Sequence, residues 1–541
     1  MTSESWLQTG PGAIGARWFW PEQPVGPDAM GVLIVPSIVH EEQTTAVGLV
    51  ALAGELAAAG LPALMIDLGG TAQGWGTLGT EDVGPGWDHD VRAAVRHMRE
   101  RGLHHIAVVG VRMGALIAAH ALADDPVDLM VLWSPVLSGR RFVRELQVLQ
   151  VSAPAAAVDA LPGITVAGFT LPPALVEHLR GLDAAKLDGK PAGRLCVVDS
   201  QDRLDALDLD HPLLDPVPVE RLVASDTDAW LFTAADTFAA PFADLPRVCR
   251  SIAAVAEQLR TTVDTGAGPQ TPDLAEHRTQ EFQHDGVMIR ETFVEFEGLR
   301  GILSEPVVPS PGATAMVAVT TVGPGRIFVD LARREAALGR ACLRFETAGF
   351  GTSARRPDDA WADFYHPTAQ YDIARAVDVM VAAGHERVAV VGFCAGAWSA
   401  FQMPPRPEVT AIVAVNAQLF IRTRLLHRQY WPGQTASRRV LSRIGQDRRV
   451  RQVVKKLERE NPVPSPVIRW LGRHVESGCR VTLMFSDDDL GLTYYRRRAL
   501  RPFGLRAARR RPTVIEYPGL GHLPSGTARE RLLADIHDHT V

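Results

Sequence analysis

Val388-Ala389-Val390-Val391-Gly392-Phe393-Cys394-Ala395-Gly396-Ala397 joins an apolar run to a string of small residues. Four consecutive apolar residues read as a central strand of a parallel sheet. The Gly/Ala-rich stretch from Ala395 reads as the start of a helix. Between them, Gly-x-Cys-x-Gly puts Cys394 on a sharp strand-to-helix turn whose flanking positions must be nearly free of side chains. A helix N-terminus aimed at the sulfur favours thiolate over thiol. The plainer reading is a buried structural cysteine. A histidine far downstream weighs against it.

Working outward, strand and helix patterns alternate, which means a parallel sheet covered on both faces. They do so twice. In the first half, strands read at 31–35, 61–66, 106–109, 129–133 and 195–199, with helices at 44–60, 88–101 and 246–260 and a hairpin over 6–30. Residues 139–190 break the alternation with two expected helices around Gly168-Phe169. In the second half a hairpin turns at Glu297-Gly298. Strands follow at 315–319, 341–345, 388–391, 412–416, 481–485 and 513–517, and helices at 327–338, 372–383 and 527–537. Asp67 and Arg112 are spaced much as Glu346 and Cys394 are, which points to an internal duplication. The expected organisation is a first domain over 1–261, a polar Gly/Pro linker over 262–284 and a second domain over 285–541. The second domain carries a basic cap insertion over 420–475.

Composition narrows the class. The chain has 541 residues, a formal net charge of −6, and 22% charged and 46% hydrophobic residues, ordinary for globular domains. Five scattered cysteines without CxxC or Cys/His ligand spacing argue against a disulfide framework or structural zinc, and no cofactor is expected. They point to a reducing, cytoplasmic setting. No stretch reads as a leader or a membrane span. The arginine clusters in 420–512 lack interleaved aromatics, so nucleic acid is not the expected partner.

The second half supplies a nucleophile, an acid and a histidine in that order, each after the end of a strand. Cys394 is the candidate nucleophile and His522, after the last strand, the candidate base. The acid lies in Asp487-Asp488-Asp489. Asp489 is preferred because the loop turns at Gly491, and Asp487 is second. Oxyanion donors are expected from the Ala395 amide and from the Val322-Gly323 loop. The first half keeps the glycines of the turn in Gly110-Val111-Arg112-Met113-Gly114, but an arginine cannot attack. Arg112 reads either as a structural ion-pair partner or as an anchor for a carboxylate or phosphate. No histidine follows the last strand there, so this half reads as a pseudoenzyme.

These residues resemble the exosortase-A-associated hydrolases, a pair of neighbouring α/β-hydrolase proteins. One type carries Gly-x-Arg-x-Gly with a later Trp and Pro and an early Glu-Glu, as at Arg112, Trp133, Pro135 and Glu41-Glu42. The other carries Gly-x-Cys-x-Gly-Ala, as at 392–397, and an element similar to Arg344-Phe345-Glu346 through Ser353. The resemblance covers most of the chain and implies two tandem α/β-hydrolase domains, a fusion of the pair. The chain departs from the second type at Ala395, where that type has Asp, and in a shorter loop at 322–326. Three functions are consistent with these residues. One is acyl hydrolysis of an ester or thioester through an acyl-Cys394 intermediate. Another is acyl transfer or cyclisation through the same intermediate. The third is a non-catalytic binding scaffold. The basic cap reads as a solvated surface, or as a dock for an acyl carrier protein or CoA phosphates.

Overall fold

The computed structural model describes all residues except 27, 153–161, 208–210, 212, 214–216, 233–239, 260–276, 309, 311, 321–325, 357–362, 423–436, 438–446, 462, 464, 500–510, 522 and 523, and the side chains of 152, 448, 451 and 499. The chain divides into two compact units, Met1–Ala153 with Leu161–Arg278, and Thr279–Val541.

The first unit holds strands β1 (Thr2–Gln8), β2 (Ala13–Phe19), β3 (Met30–Val35), β4 (Ala63–Ile66), β5 (His105–Val111) and β6 (Leu129–Trp133). A small hairpin follows, β7 (Ile164–Val166) with β8 (Phe169–Leu171), and then β9 (Leu195–Asp199) and β10 (Val219–Val223). The main sheet runs β1-β2-β4-β3-β5-β6-β9-β10. β1, β2 and β4 pair antiparallel and the rest pair parallel.

The second unit holds β11 (Thr279–His284), β12 (Val287–Phe296), β13 (Leu299–Pro306), β14 (Ala315–Val319), β15 (Cys342–Glu346), β16 (Val388–Phe393), β17 (Val409–Val415), β18 (Arg480–Ser486) and β19 (Thr513–Tyr517). Its order is β11-β12-β13-β15-β14-β16-β17-β18-β19. The exchange of third and fourth strands seen in the first sheet recurs here. With β11 set aside, both sheets have the α/β-hydrolase order. The central strands are buried on both faces (all of β3, β14, β16 and β18 except Arg480), as their unbroken apolar runs require.

Several expectations change. The linker was expected to reach residue 284, but 279–284 forms β11, an edge strand paired with β12. Alternate residues of Thr279–His284 are exposed, so its polar composition is that of an edge strand rather than a tether. Ala167-Gly168 is the turn of the β7–β8 hairpin and Phe169 opens β8, with helices Gly139–Ser152 and Pro173–Gly181 on either side. The cap was expected to extend to 475, but the helix Pro466–Glu476 buries Val467, Ile468, Leu471 and Val475. It belongs to the crossover into β18. Proline at its first turn starts the helix cleanly.

Candidate active site

In the second unit β16 ends at Phe393 and the helix Ala395–Gln402 begins at once. Cys394 takes the whole bend, at φ 46° and ψ −105°. That region is costly for a residue with a side chain. It holds because both sides are tied. The Cys394 amide donates to Val415 O on β17 (2.9 Å), and its carbonyl accepts from the Trp398 amide (3.2 Å). A Cβ on Gly392 would lie 2.5 Å from the Ala397 nitrogen, so the helix can approach only a glycine.

Tyr365, in the loop after β15, sets its hydroxyl 3.8 Å from the Cys394 sulfur. Its ring is edge-on to Trp398 (5.2 Å), which is edge-on to Trp470 (5.6 Å). Burial, then the sulfur beside it, pushes the Tyr365 pKa well up, so the phenol keeps its proton.

The three aspartates after β18 differ sharply. Asp487 and Asp488 are exposed, whereas Asp489 is 7% exposed. Asp487 accepts from the Gly519 amide (3.2 Å) and Asp488 from the Ser486 hydroxyl. Asp489 accepts from the Gly491 amide (2.6 Å) and caps the helix Leu490–Tyr494. Its charge is felt at Tyr365, as is that of Glu458, buried on the helix Arg448–Glu460. His522, Val322 and Gly323 lie outside the described residues, while Ala395 opens the helix behind the sulfur. The backbone just before His522 is anchored. The Gly521 amide donates to Ser486 Oγ (3.0 Å) and its carbonyl accepts from Asn416 Nδ2 (3.1 Å). Asn416 Oδ1 in turn accepts from the Ser486 amide (2.9 Å).

The first unit builds the same turn with another side chain. Arg112 has φ 51° and ψ −118°, its amide donates to Trp133 O (3.0 Å), and a Cβ on Gly110 would lie 2.5 Å from Ala115 Cα. Arg112 is buried. Its Nε donates to Glu41 (2.9 Å) and a terminal nitrogen to Glu145 (2.5 Å). The last strand, β10, leads to the helix Thr227–Leu231.

No family model and no curated protein matches this chain. Among solved structures it is similar to an α/β serine hydrolase homologue from Coxiella burnetii (16% identity, 48% of this chain and 97% of that one, TM-score 0.30). It is similar also to a thioesterase domain from the curacin biosynthetic pathway (16%, 46% and 99%, 0.30). A third is Est1E from Butyrivibrio proteoclasticus (13%, 48% and 100%, 0.33). Each unit has the α/β-hydrolase fold. That rests on the strand orders and the two elbows described above.

Tyr365, Asn416 and Glu458 escaped the sequence reading. Asn416 follows β17 directly at φ 47°, a conformation asparagine tolerates, so an asparagine just past an apolar run was a usable signal. Tyr365 sits in an irregular loop with no period to mark it. Among the described residues no helix is long and apolar enough to cross a membrane.

Proposed function

We propose that the second unit is an acyl hydrolase that works through an acyl-Cys394 intermediate. The observation that supports it most is the joint placement of a strained, helix-capping cysteine and a buried Asp489 at the ends of β16 and β18. In this reading Cys394 attacks an ester or thioester carbonyl, and His522 takes the thiol proton and returns it to the leaving group. Asp489 holds the imidazole. The amide of Ala395, with one from the 322–323 loop, receives the oxyanion. The first unit is a pseudoenzyme, and the chain corresponds to a fusion of the two exosortase-A-associated types. Arg449 and Lys456, exposed on the helix Arg448–Glu460, give thioesters on CoA or an acidic carrier protein a place to dock.

Intact-protein mass after mixing with acyl-pantetheine thioesters tests this. Wild type is expected to gain one acyl group and Cys394→Ala none. Rapid loss of the adduct to water supports hydrolysis. Persistence until an amine or alcohol is added moves the assignment to acyl transfer. No adduct and no turnover with esters or thioesters leaves the binding scaffold. A carrier-bound substrate should turn over more slowly as salt rises, and salt-independent turnover removes the docking role.

A further inference from the structure

The first unit holds a cavity beside the arginine of its elbow. It measures about 520 Å³, within the range of small-molecule sites, and opens beyond the C-terminal ends of β5, β6 and β9. Arg112, Glu145 and Arg203 form its polar side, with Phe232 beside them, and Val197 and Leu204 are among its apolar lining.

The two carboxylates on Arg112 are not equivalent. Glu41 is buried, and its second oxygen accepts from the Ser37 hydroxyl (2.6 Å), so it is a fixed countercharge. Glu145 is 36% exposed, and its other oxygen already accepts from Arg141 Nε (3.2 Å), whose side chain is 75% exposed. Glu145 can therefore leave Arg112 and still hold a partner. An incoming carboxylate would keep the buried Arg112 compensated while Glu145 turns to water and Arg141, so the exchange leaves no unpaired charge inside. Arg203 repeats the pattern with buried Asp199 (2.8 Å) and largely exposed Asp228 (2.7 Å). The Phe232 ring lies against both guanidiniums, at 4.9 and 4.4 Å, and forms an aromatic wall beside them.

We propose that this cavity binds a carboxylate with an apolar body, the ligand's carboxylate taking the place of Glu145 on Arg112 and its body lying on the Val197 and Leu204 side. A planar guanidinium with one exchangeable carboxylate suits an incoming carboxylate by geometry as well as charge. The strained turn, useless for attack with arginine on it, then has a purpose: it sets the guanidinium at the head of the cavity.

Isothermal titration of the full chain with straight-chain alkanoates of four to twelve carbons and with 4-phenylbutyrate tests this. Inorganic phosphate serves as the comparison anion. Saturable binding of the acids is expected, stronger than that of phosphate. Glu145→Gln removes the competing charge and should tighten binding about twofold to fivefold. Leu207→Trp, which adds bulk to the cavity lining and replaces none of these charges, should abolish it. Arg112→Met alone leaves Glu41 buried and unpaired. It is therefore made together with Glu41→Gln, checked for folding by circular dichroism, and should also abolish binding. Cys394→Ala should bind like wild type, which separates this site from the proposed catalysis. The proposal is overturned by no saturation at millimolar acid, by tighter binding of phosphate, by weaker binding in Glu145→Gln, or by binding that survives Leu207→Trp.

Discussion

At the residue scale, two identical turns carry opposite side chains. Cys394 and Arg112 share a strained backbone and a helix start, so what separates the units there is the side chain and what surrounds it. Burial pushes Cys196, Cys249, Cys342 and Cys479 each up to about 12, which leaves them as thiols at neutral pH. Cys394 instead faces a phenol that keeps its proton and can donate to a thiolate. Removing that donor should raise the pH at which Cys394 becomes nucleophilic by about one unit, the size of a hydrogen bond to a charged group. Iodoacetamide labelling of Tyr365→Phe against pH, read by mass, measures it. An unmoved midpoint would make Tyr365 a packing residue only. The expected turn at Gly491 is the one that Asp489 caps, and the sharp turn at Cys394 was legible because a glycine pattern marks it locally. Tyr365 was not, since no pattern in its own loop reports what it faces.

At the element scale, the elbow is a packing device. Gly392 and Gly110 let a helix start directly behind a strand, and an added methyl would meet backbone at 2.5 Å in both. Backbone cannot step aside as a side-chain tip can. Gly392→Ala and Gly110→Ala should each cost about 1–3 kcal/mol in urea unfolding. Wild-type stability in either would mean that the helix stands further from the strand than described. The misread elements share a cause. β11 is polar on alternate positions because it is an edge, and the prolines 462, 464 and 466 that mark a break before the helix Pro466–Glu476 do not say which side of it is buried. Composition averages over such boundaries, whereas hydrogen-bonded pairing and burial do not.

At the scale of the whole molecule, each unit holds a histidine that its surroundings desolvate. Burial pushes His97 and His474 down to about 4. His474 is fully inside, and neither ring nitrogen has hydrogen-bonding geometry to a partner among the described residues. The backbone of Phe401 and Met403 opposes the shift without reversing it. A depressed histidine pKa means that the unfolded chain binds more protons between pH 6.5 and 4. Stability is therefore full above 6.5, falls as pH drops towards 4, and levels off below for this group. The loss is about 3 kcal/mol at most for His474. His40, His120, His178, His284 and His385 shift in the same direction, whereas Asp88 and Asp90, raised by burial, oppose them in the first unit. His474→Leu should flatten part of the decline between pH 6.5 and 4 in urea unfolding. An unchanged slope would mean that water reaches the ring.

The sequence by itself determined the twofold plan, the alternation of strand and helix, both elbows, and the order in which Cys394 and the three aspartates follow the strands. Those follow from local rules: apolar periodicity, and glycine where a side chain would collide. Only the tertiary structure decided that Asp489 is the buried member of its trio, that Tyr365 meets Cys394, and that Arg112 finds Glu41 71 positions away. Those depend on which loops the exchanged strand order brings to one edge of the sheet, and on which groups water then reaches.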